Sequence, residues 1–169
     1  MKRFLIYTVE IIICFVLQSA MFHYVQLADI MPNLLLILVV STAYMRGRTE
    51  GLLVGFFSGL LVDLMFGNNV VGLYALLYLL IGYMIGFTNK IYSNDDYTLP
   101  IVFIAISDLV YGFFYYIFEF LLRGRLDFLY YLRRIIFPEI IYTVAVSIFL
   151  YKLLHLIHNR LTRNTDEEA

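Results

Sequence analysis

Acidic residues inside long apolar stretches are the groups in this sequence most suited to chemistry. Glu10, Asp63 and Asp108 each lie within such a stretch, and Asp108 stands about nine residues into its own. Carboxyl groups inside a membrane serve proton relays and ion pathways when a partner group accompanies them. No lysine or arginine lies in the core of any apolar stretch to complete an ion-coupled site. We therefore expect Glu10 and Asp108 to be protonated and hydrogen-bonded.

Other reactive side chains form no recognisable catalytic set. An enzyme would need a nucleophile with its base, a metal cluster or paired acids in a cleft, and the sequence shows none of these. His155 and His158 are three residues apart, but no third ligand is near, so we interpret them as interfacial residues. The single cysteine, Cys14, is expected to be a small core or lipid-facing residue. The sequence thus predicts no enzyme, no cofactor, no metal site and no nucleic-acid partner.

A ladder of small residues precedes Asp63. Gly51, Gly55, Gly59 and Asp63 are spaced four apart and lie on one face if the segment is helical. Such a stripe lets a second helix approach to near backbone contact. The favoured interpretation is packing within the chain's own bundle, and the alternative is contact with a partner's membrane span. The complete predicted set of partner or helix-packing residues is Gly51, Gly55, Gly59, Asp63, Gly82 and Gly86.

The composition indicates one all-α, polytopic integral membrane domain. Hydrophobic residues make up 62% of the 169 residues, and the mean hydropathy is +0.84, whereas soluble domains are roughly 45–50% apolar. The second apolar block is unusually short. Six transmembrane helices are predicted, at about 4–22, 31–46, 50–66, 70–88, 99–122 and 135–157. They form a single domain, 1–169, whose last residues, 158–169, are predicted to be a charged cytoplasmic tail.

The distribution of lysine and arginine predicts the orientation. With six spans and a cytoplasmic N-terminus, eight of these residues lie inside and four outside, which agrees with the positive-inside rule. A five-span arrangement, with the glycine block re-entrant, gives the same eight against four. Charge counting therefore leaves both topologies open. We prefer six spans, with both termini cytoplasmic.

The six-span arrangement places several polar residues on the outer side. Glu119 and Arg123 are four apart, in the acid-first order that favours pairing on a helix. Pro32 and Asn33 open the second span and are typical of a helix start. The predicted outer polar cluster consists of Pro32, Asn33, Asp63, Glu119, Arg123, Arg133, Arg134 and Glu139.

Taken in order, these motifs resemble a known family. Pro32-Asn33-Leu34, the ladder Gly51/Gly55/Gly59/Asp63, and then Gly67, Gly72 and Ala75 are similar to the rod shape-determining protein MreD family. The layout is similar over nearly the whole chain. The resemblance implies a bacterial cytoplasmic membrane location and a six-helix fold similar to the substrate-binding subunits of energy-coupling-factor transporters. It also implies four partners: the membrane-anchored scaffold MreC, the glycosyltransferase RodA, a class B transpeptidase and, indirectly, the filament MreB.

The expected function follows from this resemblance. It is a non-enzymatic component of the cell-wall elongation complex, which helps to determine rod shape by docking MreC and the peptidoglycan synthesis enzymes. In this interpretation the glycine faces bind partner spans, and the outer polar cluster orients the partner's extracellular part. One alternative is a substrate-capture subunit of a vitamin transporter, marked by a deep cavity with polar and aromatic walls. Another is a lipid-handling protein with a lateral opening.

Overall fold

The computed structural model describes the backbone of residues 2–24, 31–66, 72–91, 97–119 and 128–167. Side chains are described for residues 5–20, 31–65, 72–90, 97–118 and 129–160. These residues are almost entirely helical and contain no strand. The helices are α1 (Lys2–Tyr24), α2 (Leu34–Arg46), α3 (Arg48–Phe66), α4 (Leu73–Ile85), α5 (Thr98–Glu119), α6 (Phe128–Tyr131) and α7 (Phe137–Glu167). A 3₁₀ segment, Gly86–Ile91, extends α4, and a π-helical segment, Leu132–Ile136, joins α6 to α7.

Long helices that follow one another in the chain run in opposite directions. Near the start of α1, Tyr7 meets Arg46 and Glu50, which lie at the end of α2 and the start of α3. The end of α7 reaches the same place, because Arg46 Nε donates to His158 Nδ1 at 2.9 Å. At the opposite end of the bundle, the Leu35 backbone N–H donates to Gln18 Oε1 at 3.1 Å. We call these the Arg46 end and the Asn33 end.

Helix α2 is the centre of the bundle. All its side chains from Leu34 to Met45 are buried, and the other long helices pack around it. A helix that is apolar on every side is stable only when it is enclosed. The sequence predicted a short second block, and the structure shows a helix of 13 residues in this central position.

The outer surface of the bundle is apolar. Large hydrophobic side chains such as Leu64, Leu129 and Phe149 are exposed on α3, α6 and α7, with Phe149 79% exposed. Within the described ranges, three stretches are long and apolar enough to cross a membrane, namely Leu73–Lys90, Thr98–Phe118 and Leu129–Arg160. Leu5–Ala20 and Leu34–Arg46 are shorter apolar helices. Such a surface belongs in lipid rather than in water.

Two predicted helix boundaries differ from the structure. The last helical region begins at Phe128, well before the predicted start at residue 135, because α6 and the π-helical segment continue into α7. It also continues to Glu167, into the predicted charged tail. The polar residues of these extensions, including Arg133 and Arg134, keep them out of the apolar block. The amphipathic stretch LDFLYYLRR nevertheless predicts a short interfacial helix, and its described residues, from Phe128 on, are helical.

Candidate functional site

The glycine ladder of α3 lies directly against α4. A Cβ atom added to Gly55 would come within 3.0 Å of the backbone carbonyl of Tyr78. One added to Gly59 would be equally close to the backbone of Tyr74 and Ala75. The two helices are therefore in backbone contact along this face, as the ladder's spacing predicts.

The second glycine pair belongs to the same interface. A Cβ atom at Gly82 would overlap the carbonyl of Gly51, and one at Gly86 would overlap the backbone of Arg48. The two glycine faces thus pack against each other within one chain. The sequence left open, as the less favoured alternative, that a partner span docks on this stripe. In the structure α4 already occupies that surface.

Asp63 caps the N-terminus of α4. Its carboxylate oxygens accept hydrogen bonds from the backbone N–H of Tyr74 at 3.3 Å and of Ala75 at 2.8 Å. The preceding residue of α4, Gly72, has no side chain and a φ of 98°, so it makes no cap of its own. A carboxylate at a helix N-terminus satisfies free N–H groups and complements the helix dipole. Asp63, 2% exposed, has a structural hydrogen-bonding role here.

Asn33 joins three elements at the start of α2. Its Oδ1 accepts from the Leu36 backbone N–H at 3.1 Å, which caps α2. The same oxygen accepts from the Tyr78 hydroxyl at 2.6 Å. Its backbone N–H donates to Thr143 Oγ1 at 3.3 Å. The helix-start interpretation of Pro32-Asn33 therefore fits the geometry, and Asn33 also ties α2 to α4 and α7.

A cavity of about 310 Å³ opens beside Asn33. We call it the tyrosine cavity, because the rings that line it are Tyr74, Tyr78, Tyr111, Tyr115 and Tyr131. Four of these rings are in mutual contact, with centroids 5.6 to 6.1 Å apart. Gln18, Asn33 and Glu139 add polar groups to the wall. The spacing of four between Tyr74 and Tyr78 on α4, and between Tyr111 and Tyr115 on α5, was the available signal in the sequence.

Two acids at the Asn33 end of the bundle form no ion pair among the described residues. Glu139 lines the tyrosine cavity, and Asp108 is close enough for the two charges to interact. Asp108 is 2% exposed. The Thr143 hydroxyl is its polar neighbour, but neither carboxyl oxygen has a partner in hydrogen-bonding geometry. The hydrogen bond expected for Asp108 is therefore missing from the described part of the structure.

The predicted outer polar cluster is only partly assembled. Pro32, Asn33 and Glu139 line the tyrosine cavity, and Asp63 lies next to it through Tyr74. Arg133 and Arg134 are exposed, and Arg134 lies 5.6 Å from the centroid of the Tyr130 ring. Within the described ranges, neither arginine forms an ion pair with an acid of the cluster. The side chain of Glu119 and all of Arg123 lie outside the described residues.

A polar network at the Arg46 end was not predicted from the sequence. Tyr7 donates to Glu50 Oε2, and Arg46 Nη1 contacts both the Tyr7 hydroxyl and Glu50, the latter at 3.7 Å. Arg46 also lies 4.8 Å from the centroid of the Tyr7 ring. The spacing of four between Arg46 and Glu50 was the available signal, although it spans the break between α2 and α3. This network joins α1, α2 and α3.

Beside that network, an apolar groove of about 580 Å³ runs between α1 and α3. We call it the α1/α3 groove, and its walls include Ile11, Ile12, Leu53, Val54, Phe57 and Leu61. Ile12, Leu53 and Phe57 are exposed on the outer surface of the bundle. The groove therefore opens sideways toward the surrounding lipid.

The histidines contribute to packing at the Arg46 end. His155 is buried and contacts the rings of Tyr97 and Tyr151, while His158 accepts from Arg46. Among the residues that the structure describes, no three His, Cys, Asp or Glu side chains form a group able to hold a metal ion.

Comparisons with known proteins identify the family. Searches of curated proteins and of solved structures gave no match, so the predicted likeness to energy-coupling-factor subunits stays a prediction. A family model described as rod shape-determining protein MreD matches residues 1–161 of the 169. Because this match covers nearly the whole length, the chain belongs to the MreD family and takes part in rod shape determination.

Proposed function

We propose that this protein is a non-enzymatic membrane component of the bacterial cell-wall elongation complex. It docks the scaffold MreC and the synthesis enzymes RodA and a class B transpeptidase, and it is linked indirectly to the MreB filament. The observation that carries this proposal is the family match over residues 1–161. The tyrosine cavity fits the feature expected of a vitamin-capture subunit, but the family match favours the elongation complex.

The α1/α3 groove is the docking surface that we propose for the membrane anchor of MreC. The glycine faces are occupied within the chain, since Gly55 and Gly82 each meet backbone atoms. The groove, in contrast, is an unfilled apolar surface between two helices. A transmembrane helix fits such a surface, because helix association in lipid depends on close van der Waals packing.

We further propose that the protein spans the cytoplasmic membrane six times, with both termini in the cytoplasm. The alternating directions of the long helices support this arrangement. Helix α3 is continuous from Arg48 to Phe66 and runs antiparallel to α4, from Gly51 beside Gly82 to Gly59 beside Tyr74. That course supports a crossing helix over the re-entrant alternative.

Site-specific photocrosslinking in the native host tests the docking surface. A photoreactive amino acid would replace Leu53 in the groove or, as the control, Phe113 on α5. The two side chains are similarly exposed, at 43% and 42%. We expect crosslinks to MreC from position 53 and few or none from position 113. Equal crosslinking from both positions, or crosslinking from position 113 alone, would contradict the groove assignment.

The elongation role itself is tested separately by complementation. We expect the wild-type protein to restore rod shape in a host strain that lacks its MreD, as measured by the ratio of cell length to width. Round cells, despite normal membrane levels of the protein, would contradict the proposed role.

A further inference from the structure

The tyrosine cavity has the size and shape of a ligand-binding site. Its volume of about 310 Å³ lies at the lower end of the range of roughly 300–1,000 Å³ typical of small-molecule pockets. Residues of α1, α3, α4, α5 and α7 line it, together with residues 31–33, which immediately precede α2. A bundle that needed only internal packing would fill this space with side chains, because protein interiors are close-packed.

The walls of the cavity favour a cation. Five tyrosine rings line it, and the face of an aromatic ring carries negative potential that attracts ammonium groups. Among the described lining residues, Glu139 is the one carboxylate, and there is no lysine, arginine or histidine. An anion would therefore meet a carboxylate with nothing to balance its charge.

A second acid, Asp108, accompanies Glu139. It lies close enough for electrostatic interaction and is 2% exposed, and neither of its carboxyl oxygens has a hydrogen-bond partner among the described residues. In the described part of the chain, neither acid takes part in an ion pair. Buried carboxyl groups are normally paired or hydrogen-bonded, so a bound cation would supply the ionic partner that Glu139 and Asp108 lack among the described residues.

The amide oxygens of the wall are already engaged. Gln18 Oε1 accepts from the Leu35 backbone, and Asn33 Oδ1 accepts from both Leu36 and Tyr78. A small inorganic ion, which needs a shell of oxygen ligands, is therefore poorly served. An organic ammonium group, which uses ring faces and one carboxylate, matches the wall better.

We propose that the tyrosine cavity binds an organic ammonium group, with Glu139 as its counter-ion and the tyrosine rings as its walls. The group is carried either by a free small amine or by the headgroup of an aminophospholipid such as phosphatidylethanolamine. This site is separate from the α1/α3 groove, and it does not depend on the docking of MreC.

Equilibrium dialysis tests the chemical class. The purified full-length protein in phosphatidylglycerol nanodiscs would be dialysed against radiolabelled ethanolamine or against ethylene glycol, which replaces the ammonium by a hydroxyl. We expect retention of ethanolamine and not of ethylene glycol. Equal retention of ethanolamine and ethylene glycol would overturn the proposal. It would also be overturned if neither compound were retained and the protein did not co-purify with phosphatidylethanolamine in the lipid experiment described next.

A second set of nanodiscs, containing phosphatidylethanolamine, distinguishes the two sources. If the lipid supplies the ammonium group, it competes with ethanolamine and remains with the protein through purification, as measured by lipid mass spectrometry. If a free amine is the ligand, the lipid does not compete. Both results support an ammonium site and differ only in its occupant.

Variants locate the site. Glu139→Gln removes the charge with little change of shape, and we expect about a tenfold or greater loss of ethanolamine affinity. Glu139→Asp should retain most of the binding, and Glu10→Gln, which alters a different glutamate in the membrane, should retain all of it. Unchanged binding in Glu139→Gln would overturn the assignment.

The tyrosine wall provides an independent test if Glu139→Gln does not fold. Tyr111→Phe keeps the ring, and we expect affinity close to that of the wild type. Tyr111→Leu removes the ring, and we expect about a fivefold loss. Equal affinity of the two variants, both checked for helicity and monodispersity, would contradict a role for the aromatic wall.

Discussion

Single polar side chains hold the ends of these helices, and Asp63 is the clearest example. Its two carboxylate oxygens reach across a break in the described chain to cap α4, whose own preceding residue is a glycine. Asn33 caps α2, which it directly precedes, and its side chain also accepts a hydrogen bond from the Tyr78 hydroxyl. In lipid these contacts matter more than they would at a wet surface, because no water replaces a lost acceptor.

At this scale we predict that Asp63→Ala lowers the free energy of unfolding by about 1–3 kcal/mol, because two backbone donors lose their acceptor. Asp63→Asn keeps one acceptor oxygen and should lose less. Thermal unfolding of the purified protein in detergent, followed by circular dichroism, measures both.

Ser58→Ala is the matched control on the same helix. Ser58 is fully buried, and its hydroxyl has no hydrogen-bond partner among the described residues. Its removal should therefore change stability little or raise it slightly. A loss as large as that of Asp63→Ala would contradict the capping role.

At the scale of elements, the α3–α4 pair is the most tightly packed part of the bundle. Gly51, Gly55 and Gly59 meet the backbone of α4, and Gly82 and Gly86 meet the backbone of α3 and its N-terminal end. Backbone atoms cannot rotate away as a side chain can. The pair therefore behaves as one rigid unit, and α1 leaves a groove against its outer side.

We predict that Gly55→Ala destabilises the protein by about 1–3 kcal/mol, the usual cost of overpacking. The added methyl group would overlap the carbonyl of Tyr78, so α3 and α4 must move apart. The measurement is the melting temperature in detergent, together with the yield of folded protein.

Gly112→Ala on α5 serves as the comparison. Its added Cβ atom would lie 3.1 Å from a side-chain carbon of Ile136, which can shift by rotation. Alanine also favours the helix by about 1 kcal/mol relative to glycine. We expect a change within about 1 kcal/mol, and a loss equal to that of Gly55→Ala would show that backbone contact is not the cause.

At the scale of the whole molecule, the protein has two chemically different ends. The Arg46 end holds the network of Tyr7, Arg46, Glu50 and His158, whereas the Asn33 end holds the tyrosine cavity with Glu139 and Asp108, neither of which forms an ion pair among the described residues. Under the proposed topology, the first faces the cytoplasm and the second faces outward.

Cysteine labelling tests that topology. With the single cysteine Cys14 replaced by alanine, one new cysteine at Lys90 or at Arg133 would report each end. Both positions are exposed. We expect a membrane-impermeant maleimide added outside intact spheroplasts to label position 133 and to label position 90 only after permeabilisation.

Labelling of both positions from outside would contradict the six-span arrangement, because the two ends would then lie on the same side. Labelling of position 90 alone would indicate either the five-span arrangement or six spans in the reversed orientation. The positive-inside rule argues against that reversal.

The membrane class, the all-helical architecture and the family could all be inferred from the amino-acid sequence alone. Bilayer-length apolar blocks and the ordered motif from Pro32 to Ala75 are local features of the chain, so no tertiary information was needed to find them. The glycine spacing of four also predicted a backbone contact, since helical periodicity alone puts those residues on one face.

The partner of the glycine face became evident only from the packed structure, in which it is α4 of the same chain. The packing also assembles the tyrosine cavity from residues as distant as Gln18 and Glu139, and among the described residues it forms no ion pair between Arg133 or Arg134 and the acids of the outer polar cluster. These outcomes depend on how the helices are arranged around α2. That arrangement is fixed by packing between elements far apart in the chain, which no local periodicity encodes.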